Sequence, residues 1–330
     1  MAFSIPDTVT LNNGLKMPII GLGTWQSKED DMVRAINAAL EMGYRHIDTA
    51  FAYRNEDVIG KVLKEWFTSG KLQREDLFVT TKLTAIGMRA DLVGPFLEKS
   101  LKALQLDYVD CYLIHSPVGV KYNGDDSELF PLVNGKVDID PTTDLVAIWN
   151  ALEKEVEAGR ARSIGVSNFN IEQMQRVNKG AKAIKIANLQ IELNAYFQQK
   201  EVQKFCKDNN IIITSYATFG SPGSKSFVPR TEDVKHLPLL LESPVALKIA
   251  RAHKVSTSQV LLHHLARKGI VVIPKSTNPA RIQVNFQIFN FKLTDEEIKE
   301  LDGLDIGEGG RQFKMDFLPG FEEHPEHHFK

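Results

Sequence analysis

Short runs of β-branched and apolar residues recur along this chain with helical stretches between them, and that alternation constrains the fold more than any other feature. The runs lie at residues 19–23, 45–48, 77–82, 109–114, 163–166, 187–190, 211–215 and 270–273. Apolar residues at helical spacing fill most gaps, over 30–42, 57–67, 92–104, 147–158, 201–208, 244–253 and 256–267. Two more such stretches, 279–286 and 294–301, follow the last run. Ser27 with Asp30 and Thr294 with Glu297 stand at capping-box spacing. Strands alternating with helices predict an α/β fold with a parallel sheet, and about eight such units predict a (β/α)₈ barrel. Residues 8–17 precede the alternation as two short strand-like runs around Asn13-Gly14, a pair suited to a tight hairpin turn. A doubly wound sheet is the other candidate. It would carry a third glycine after its first strand, which Gly21-Leu22-Gly23-Thr24-Trp25 lacks.

With 330 residues, 43% of them hydrophobic, the chain can fill the core of such a barrel, and it reads as one domain over 1–330. Lys and Arg number 40 against 42 Asp and Glu, so no net charge draws the chain to nucleic acid or to a membrane surface. Cys111 and Cys206 are too few for a disulfide framework. The first ten residues lack the basic start and long apolar run of a secretory leader, and no apolar run reaches the length of a membrane span. A cytoplasmic protein is expected, and nothing demands more than a monomer. Three segments exceed the short-loop expectation: 116–144, 217–243 and 305–330. The first two follow strand ends, at the face where barrels of this kind carry their active sites. The third holds Phe313, Phe317, Leu318 and Phe321, more apolar than a free tail needs, and is expected to fold back.

The polar residues at the ends of successive runs carry the chemistry. Asp48 ends the second run with Tyr53 close behind, Lys82 ends the third, and His115 follows the fourth. Parallel strands lie about 4.8 Å apart, so side chains from three neighbouring strand ends can share one site. A tyrosine with a free pKa of about 10 is a weak acid at neutral pH. A nearby ammonium lowers that pKa, and the ammonium needs a carboxylate to stay charged when buried. Asp48, Lys82, Tyr53 and His115 therefore suit protonation of an oxygen that gains negative charge. His46 and the His263-His264 pair have ordinary structural readings. The His and Glu cluster over 322–328 has neither scaffold nor spacing for a metal, and none is expected.

These residues stand in a context that resembles the aldo-keto reductases. The likeness is carried by residues 43–53, Gly-Tyr-Arg-His-Ile-Asp-Thr-Ala-Phe-Ala-Tyr, and by Lys82 after a β-run. It continues through Ile114-His115-Ser116-Pro117, Gly165-Val166-Ser167-Asn168-Phe169 and Ile273-Pro274-Lys275-Ser276, then Arg281 and Asn285. It spans residues 8–291 in order. The resemblance implies an NADPH-dependent reductase of aldehydes and ketones, with Tyr53 as general acid, Lys82 and Asp48 tuning it, and His115 positioning the carbonyl. It further implies that the nicotinamide stacks on Tyr216, that Ser167, Asn168 and Gln190 hold its carboxamide, and that Gly23, Thr24 and Trp25 line that end. Phe219, Ser221, Thr277, Asn278 and Asn285 complete the expected cofactor contacts. Lys275, Ser276 and Arg281 beside a helix beginning near Pro279 offer two cations, a hydroxyl and backbone N–H groups. That set fits the 2′-phosphate distinguishing NADPH from NADH.

Departures from the better-known aldose reductases point to the substrate. Thr84 and Ser116 stand where those enzymes carry Trp, and Ala52 is small. With Trp25 and Phe313 these residues are the expected substrate contacts, around a roomier and more polar mouth that could take a bulky ketone such as a steroid as well as aldehydes or aldoses. Parts of the chain also resemble insect ecdysteroid 3-keto reductases. Val284 and Ala217 differ from the family's usual acidic residue and serine at cofactor positions. The 217–243 loop, with Gly223, Ser224 and Lys225, is expected to close over the pyrophosphate. The alternative is a non-catalytic NADPH-binding regulatory or structural barrel, which the complete proton-donating set argues against.

Overall fold

The computed structural model describes residues 7–27, 29–223, 232–315 and 318–327. Two short strands, β1 (Thr8–Thr10) and β2 (Lys16–Pro18), form an antiparallel hairpin turned at Asn13-Gly14. Gly14 takes a φ of +88°, which a residue with a Cβ rarely adopts. The side chains of Asn12 and Asn13 donate to the Ile186 and Arg162 carbonyls, each at 2.9 Å. Those carbonyls precede two barrel strands, so the hairpin with its buried Leu11 and Met17 covers the N-terminal end of the barrel.

The barrel begins with β3 (Leu22–Gly23), β4 (His46–Asp48), β5 (Phe78–Leu83) and β6 (Cys111–Ile114). A hairpin of β7 (Leu132–Val133) and β8 (Lys136–Val137) interrupts it within the loop that follows. It resumes with β9 (Ile164–Ser167), β10 (Asn188–Glu192), β11 (Ile212–Tyr216) and β12 (Val271–Val272). Among the described residues these eight barrel strands pair in parallel in chain order. The ends of the sheet meet. Gly21 N–H donates to the Val272 carbonyl and Val272 N–H to the Ile19 carbonyl, both at 2.9 Å, and Gly23 N–H reaches the Pro274 carbonyl at 3.3 Å. The first and last strands come so close that a Cβ on Gly23 would lie 2.7 Å from the Ile273 carbonyl oxygen, so only glycine fits at this seam. The expected (β/α)₈ barrel is therefore present.

Most helices bury one stripe, as their apolar spacing predicts. Glu29–Glu41, for example, buries Met32, Ala35, Ile36, Ala39 and Leu40. Thr257–Ala266, by contrast, is buried on all sides from Gln259 to Ala266. The Thr294–Glu297 capping box forms in both directions at the start of Asp295–Asp302. Strand limits differ from the expected runs by one to three residues, most at β3 and β10, and residues flanking β3 and β12 join the barrel through single bridges. A helix and a hairpin among the described elements lie outside the sequence reading. The helix Ile171–Gly180 buries only Gln173, Met174 and Val177, and its reciprocal cap uses Asn170 and Gln173. The hairpin of β7 and β8 turns at Asn134-Gly135, the same pair that marked the first hairpin.

His46 is fully buried low in the barrel, 3.2 Å from the Thr80 hydroxyl and edge-on to Phe78. His263 pairs with the Ile288 carbonyl at 2.9 Å and His264 with the Asp302 carboxylate at 2.7 Å. All three are framework groups. Among the described residues no helix is long and apolar enough to cross a membrane.

The tail folds back, as its apolar content predicts. Ile306 N–H donates to the Tyr196 carbonyl at 3.0 Å, Val137 N–H donates to the Pro319 carbonyl at 2.8 Å, and His324 pairs with the Asp140 carbonyl at 2.7 Å. Phe321 is buried against Phe130. Phe317 lies outside the described residues.

Candidate active site

The C-terminal ends of β4, β5 and β6 are neighbours, so Asp48, Lys82 and His115 arrive at one place. Tyr53 follows from a single helical turn after β4. Lys82 is fully buried, and its Nζ donates to Asp48 Oδ1 at 2.7 Å, to the Thr49 carbonyl at 2.7 Å and to Tyr53 Oη at 3.3 Å. The second Asp48 oxygen accepts from Gln190 Nε2 at 2.7 Å. The His115 ring stands edge-on to Tyr53 with centroids 5.6 Å apart.

The electrostatics differ from the sequence expectation at one point. Burial pulls the Lys82 ammonium down, but Asp48 and Tyr53 together outweigh it and hold the group above its ordinary value. The Lys82 charge does favour the Tyr53 phenolate, yet burial is the larger effect, so the phenol is raised above its usual value rather than lowered. Tyr53 is thus held protonated through the neutral range, the state a proton donor requires. Burial and the Lys82 charge push His115 down to about 3, so it is a neutral imidazole.

Around this set lies a cavity of about 940 Å³. Every expected site residue lines it except Lys82, which sits behind Tyr53, and Asn278. The Asn278 side chain instead caps the helix Pro279–Phe286 by accepting from Arg281 N–H at 3.1 Å. Asn168 donates to the His115 carbonyl at 2.9 Å and accepts from Tyr216 Oη at 2.7 Å, so the expected carboxamide and stacking residues form one connected floor. At the other end Arg281 Nε reaches Ser276 Oγ at 3.4 Å and Lys275 Nζ reaches the Gln26 carbonyl at 3.4 Å. Burial and the Arg281 charge push Lys275 down, against the pull of Asp31. Among the described residues neither cation forms a salt bridge. Two basic groups on one cavity wall with the Ser276 hydroxyl beside them make a good receptor for a phosphate dianion.

The mouth corrects the sequence reading. Ala52, Thr84 and Ser116 leave the expected room, but Leu129 and Phe130 from the loop after β6 line the same cavity, with Met315, Leu318 and Phe321 from the tail. The mouth is apolar, not polar. Phe313 meets Trp25 at 5.8 Å and Tyr216 at 5.5 Å between centroids, both edge-on. No periodicity marks these loop residues in the sequence. Only the surplus of aromatics in the tail hinted at them. Ser221 and Gly223 of the expected closing loop line the cavity, whereas Ser224 and Lys225 lie outside the described residues. Among the described residues no group of three or more His, Cys, Asp or Glu could hold a metal ion.

A second buried acid stands between β5 and the helices Glu56–Thr68 and Val93–Leu104. Glu56 accepts from Thr81 Oγ1 at 2.5 Å and Ser100 Oγ at 2.9 Å, and burial pushes its carboxyl up to about 7 despite those donors. The folded chain thus keeps this proton longer than the unfolded chain does. The associated stability is full below the ordinary carboxylate range and is lost as pH rises through about 7. Glu56→Gln should therefore gain on the parent protein between pH 5 and pH 8, by on the order of 3 kcal/mol. Denaturant melts across that range check this, and a difference that does not change with pH would contradict it.

A sequence profile described as Aldo/keto reductase family matches residues 19–306. Human aldo-keto reductase family 1 member C1 is 41% identical over 322 residues, which cover 96% of either chain. Dihydrodiol dehydrogenase 3 of Bos taurus is 42% identical over 301 residues, 90% of either chain. Among solved structures the aldose reductase from Schistosoma japonicum superposes with a TM-score of 0.87 at 39% identity, covering 98% of this chain and 99% of that one.

Proposed function

The chain belongs to the aldo/keto reductase family of oxidoreductases, and from that premise we propose that it uses NADPH to reduce bulky apolar ketones, with Tyr53 as the general acid. The observation that carries this reading is the buried line from Asp48 through Lys82 to the Tyr53 hydroxyl, ending on the cavity wall beside a neutral His115. The donor set fits the cofactor: Lys275, Ser276 and Arg281 would hold its 2′-phosphate, Ser167, Asn168 and Gln190 its carboxamide, and Tyr216 its ring. When bound, NADPH supplies a hydride to the carbonyl carbon.

The chain's own residues do the rest. Tyr53 donates its proton to the carbonyl oxygen as negative charge develops there, and Lys82 stabilises the phenolate left behind. His115, neutral, directs the oxygen towards Tyr53. Asp48 keeps Lys82 charged, and Gln190 holds Asp48 from the other side. The apolar wall of Leu129, Phe130, Phe313 and Phe321 excludes water and offers contact to a large hydrocarbon skeleton. A 3-ketosteroid with few hydroxyls fits that description better than an aldose, whose hydroxyls would meet few partners there, as would those of a hydroxyl-rich ecdysteroid. This reading also takes residues 1–330 as one catalytic unit that acts as a monomer.

A panel of 3-ketosteroids, simple aldehydes and sugars tests the substrate class by NADPH oxidation. The reading expects the ketosteroids to have the highest kcat/KM, and preference for sugars would overturn it. Arg281→Ala should raise the KM for NADPH about 10- to 100-fold and leave kcat within about twofold, because a charge-assisted bond to phosphate contributes about 1.5–3 kcal/mol. An unchanged KM, or equal efficiency with NADH in the parent protein, would place the phosphate elsewhere.

A further inference from the structure

Glu192 is the last residue of β10, two places beyond Gln190, and it is only 1% exposed. Its carboxylate accepts the backbone N–H of Gln312 at 3.0 and 3.1 Å and that of Phe313 at 2.9 Å. Among the described residues, these are the hydrogen bonds by which the strap from Gln312 to Met315 is tied to a barrel strand. The next residue's ring is the consequence: Phe313 is held between Trp25 and Tyr216, on the wall of the cavity. Burying a carboxyl at a strand end is costly unless donors are aimed at it. Here burial raises it to about 7 against the pull of the two amides and of Arg311. An apolar side chain at this place would leave two strap amides without acceptors.

We propose that Glu192 is a positioning residue for substrate selection, which acts through Phe313 by pinning the strap that carries it. This rests on the reductase reading above. On its N-terminal side the strap is continuous with Gly310, packed on the Tyr196 carbonyl, and with Arg311, whose guanidinium lies over the Phe197 ring at 4.5 Å; Glu192 adds the direct tie at Gln312 and Phe313 themselves. A carboxylate is suited to the task because its two oxygens serve two successive N–H groups at once. The amide of a Gln presents one oxygen, and its NH₂ faces the strap donors.

The test combines kinetics with hydrogen exchange on the full chain, using Glu192→Gln, Glu192→Asp, Phe313→Ala and the double variant Glu192→Gln/Phe313→Ala. Glu192→Gln should raise the KM for a 3-ketosteroid about 5- to 10-fold, while KM for 4-nitrobenzaldehyde and kcat for both stay within about twofold. Amide exchange over residues 312–313 should speed up about tenfold or more. Glu192→Asp, which keeps both oxygens, should show the same pattern at smaller amplitude and serves if the Gln variant does not fold. The double variant should be no worse than Phe313→Ala alone, since both changes act through one ring. Equal losses on both substrates, unchanged exchange at 312–313, or additive effects in the double variant would each overturn the proposal. Failure of the parent protein on every carbonyl would sink the reductase reading instead. The exchange measurement needs no turnover and judges the tie by itself.

Discussion

Tyr53→Phe should abolish nearly all carbonyl reduction, lowering kcat by about 10²–10⁴-fold while NADPH still binds with its parental affinity. The variant removes one oxygen and leaves the ring, so packing against the His115 ring and under the Lys82 ammonium survives. The fold should not change: Tyr53 Oη supplies one of the three acceptors around Lys82 Nζ, and the two at 2.7 Å remain. What disappears is the donor that stays protonated because burial raises its pKa. A second signature comes from His115. Because that imidazole is pushed down to about 3, the parent enzyme should show no limb near the ordinary histidine range in its pH–rate profile for reduction. Steady-state rates with binding by cofactor fluorescence check both points. Parental turnover in Tyr53→Phe would remove Tyr53 from the mechanism.

Lys82→Met should damage stability and turnover together, and the two losses can be separated. The ammonium is fully buried and donates to one Asp48 oxygen and to the Thr49 carbonyl. Without it the Asp48 carboxylate is left in the barrel with Gln190 as its remaining side-chain partner. An uncompensated buried charge costs about 3–5 kcal/mol, which lowers Tm by about 5–10 °C. Turnover should fall about 10²-fold or more, because the phenolate formed on Tyr53 loses its counter-charge. Asp48→Asn/Lys82→Met removes both charges and should recover most of the lost stability but none of the lost rate. Thermal melts and kinetics on the three proteins decide this. Recovery of both quantities in the double variant would mean that the pair serves only the fold.

The barrel and its proton-donating set could be read early because each depends on local pattern. A β-branched run ends where the strand ends; Asp48 and Lys82 lie at such ends and His115 directly follows one. Parallel neighbours then bring strand ends together whatever the loops do. The sign of the Tyr53 shift could not be read in the same way. It depends on how deeply the phenol is buried, and Lys82 alone suggested the opposite direction. The resemblance puts Asn278 among the cofactor contacts, and its side chain caps the helix Pro279–Phe286, a role natural to a residue just before a helix with Pro at its start. The apolar mouth was hidden for a third reason. Leu129, Phe130 and Phe321 reach the cavity from loops whose course no periodicity describes. The helix Ile171–Gly180 escaped notice because its face buries only three side chains and its cap uses Asn and Gln. Glu192 fell just past the expected end of its strand, where a carboxylate reads as a surface group until the tail is folded over it.

The most direct test of the account is whether the purified chain consumes NADPH in step with conversion of a carbonyl to its alcohol. The account predicts equimolar loss of NADPH and appearance of alcohol with 4-nitrobenzaldehyde and with a 3-ketosteroid, and loss of both signals in Tyr53→Phe. Tight NADPH binding without consumption on either substrate would contradict it, and would leave the Asp48–Lys82–Tyr53 line as framework alone.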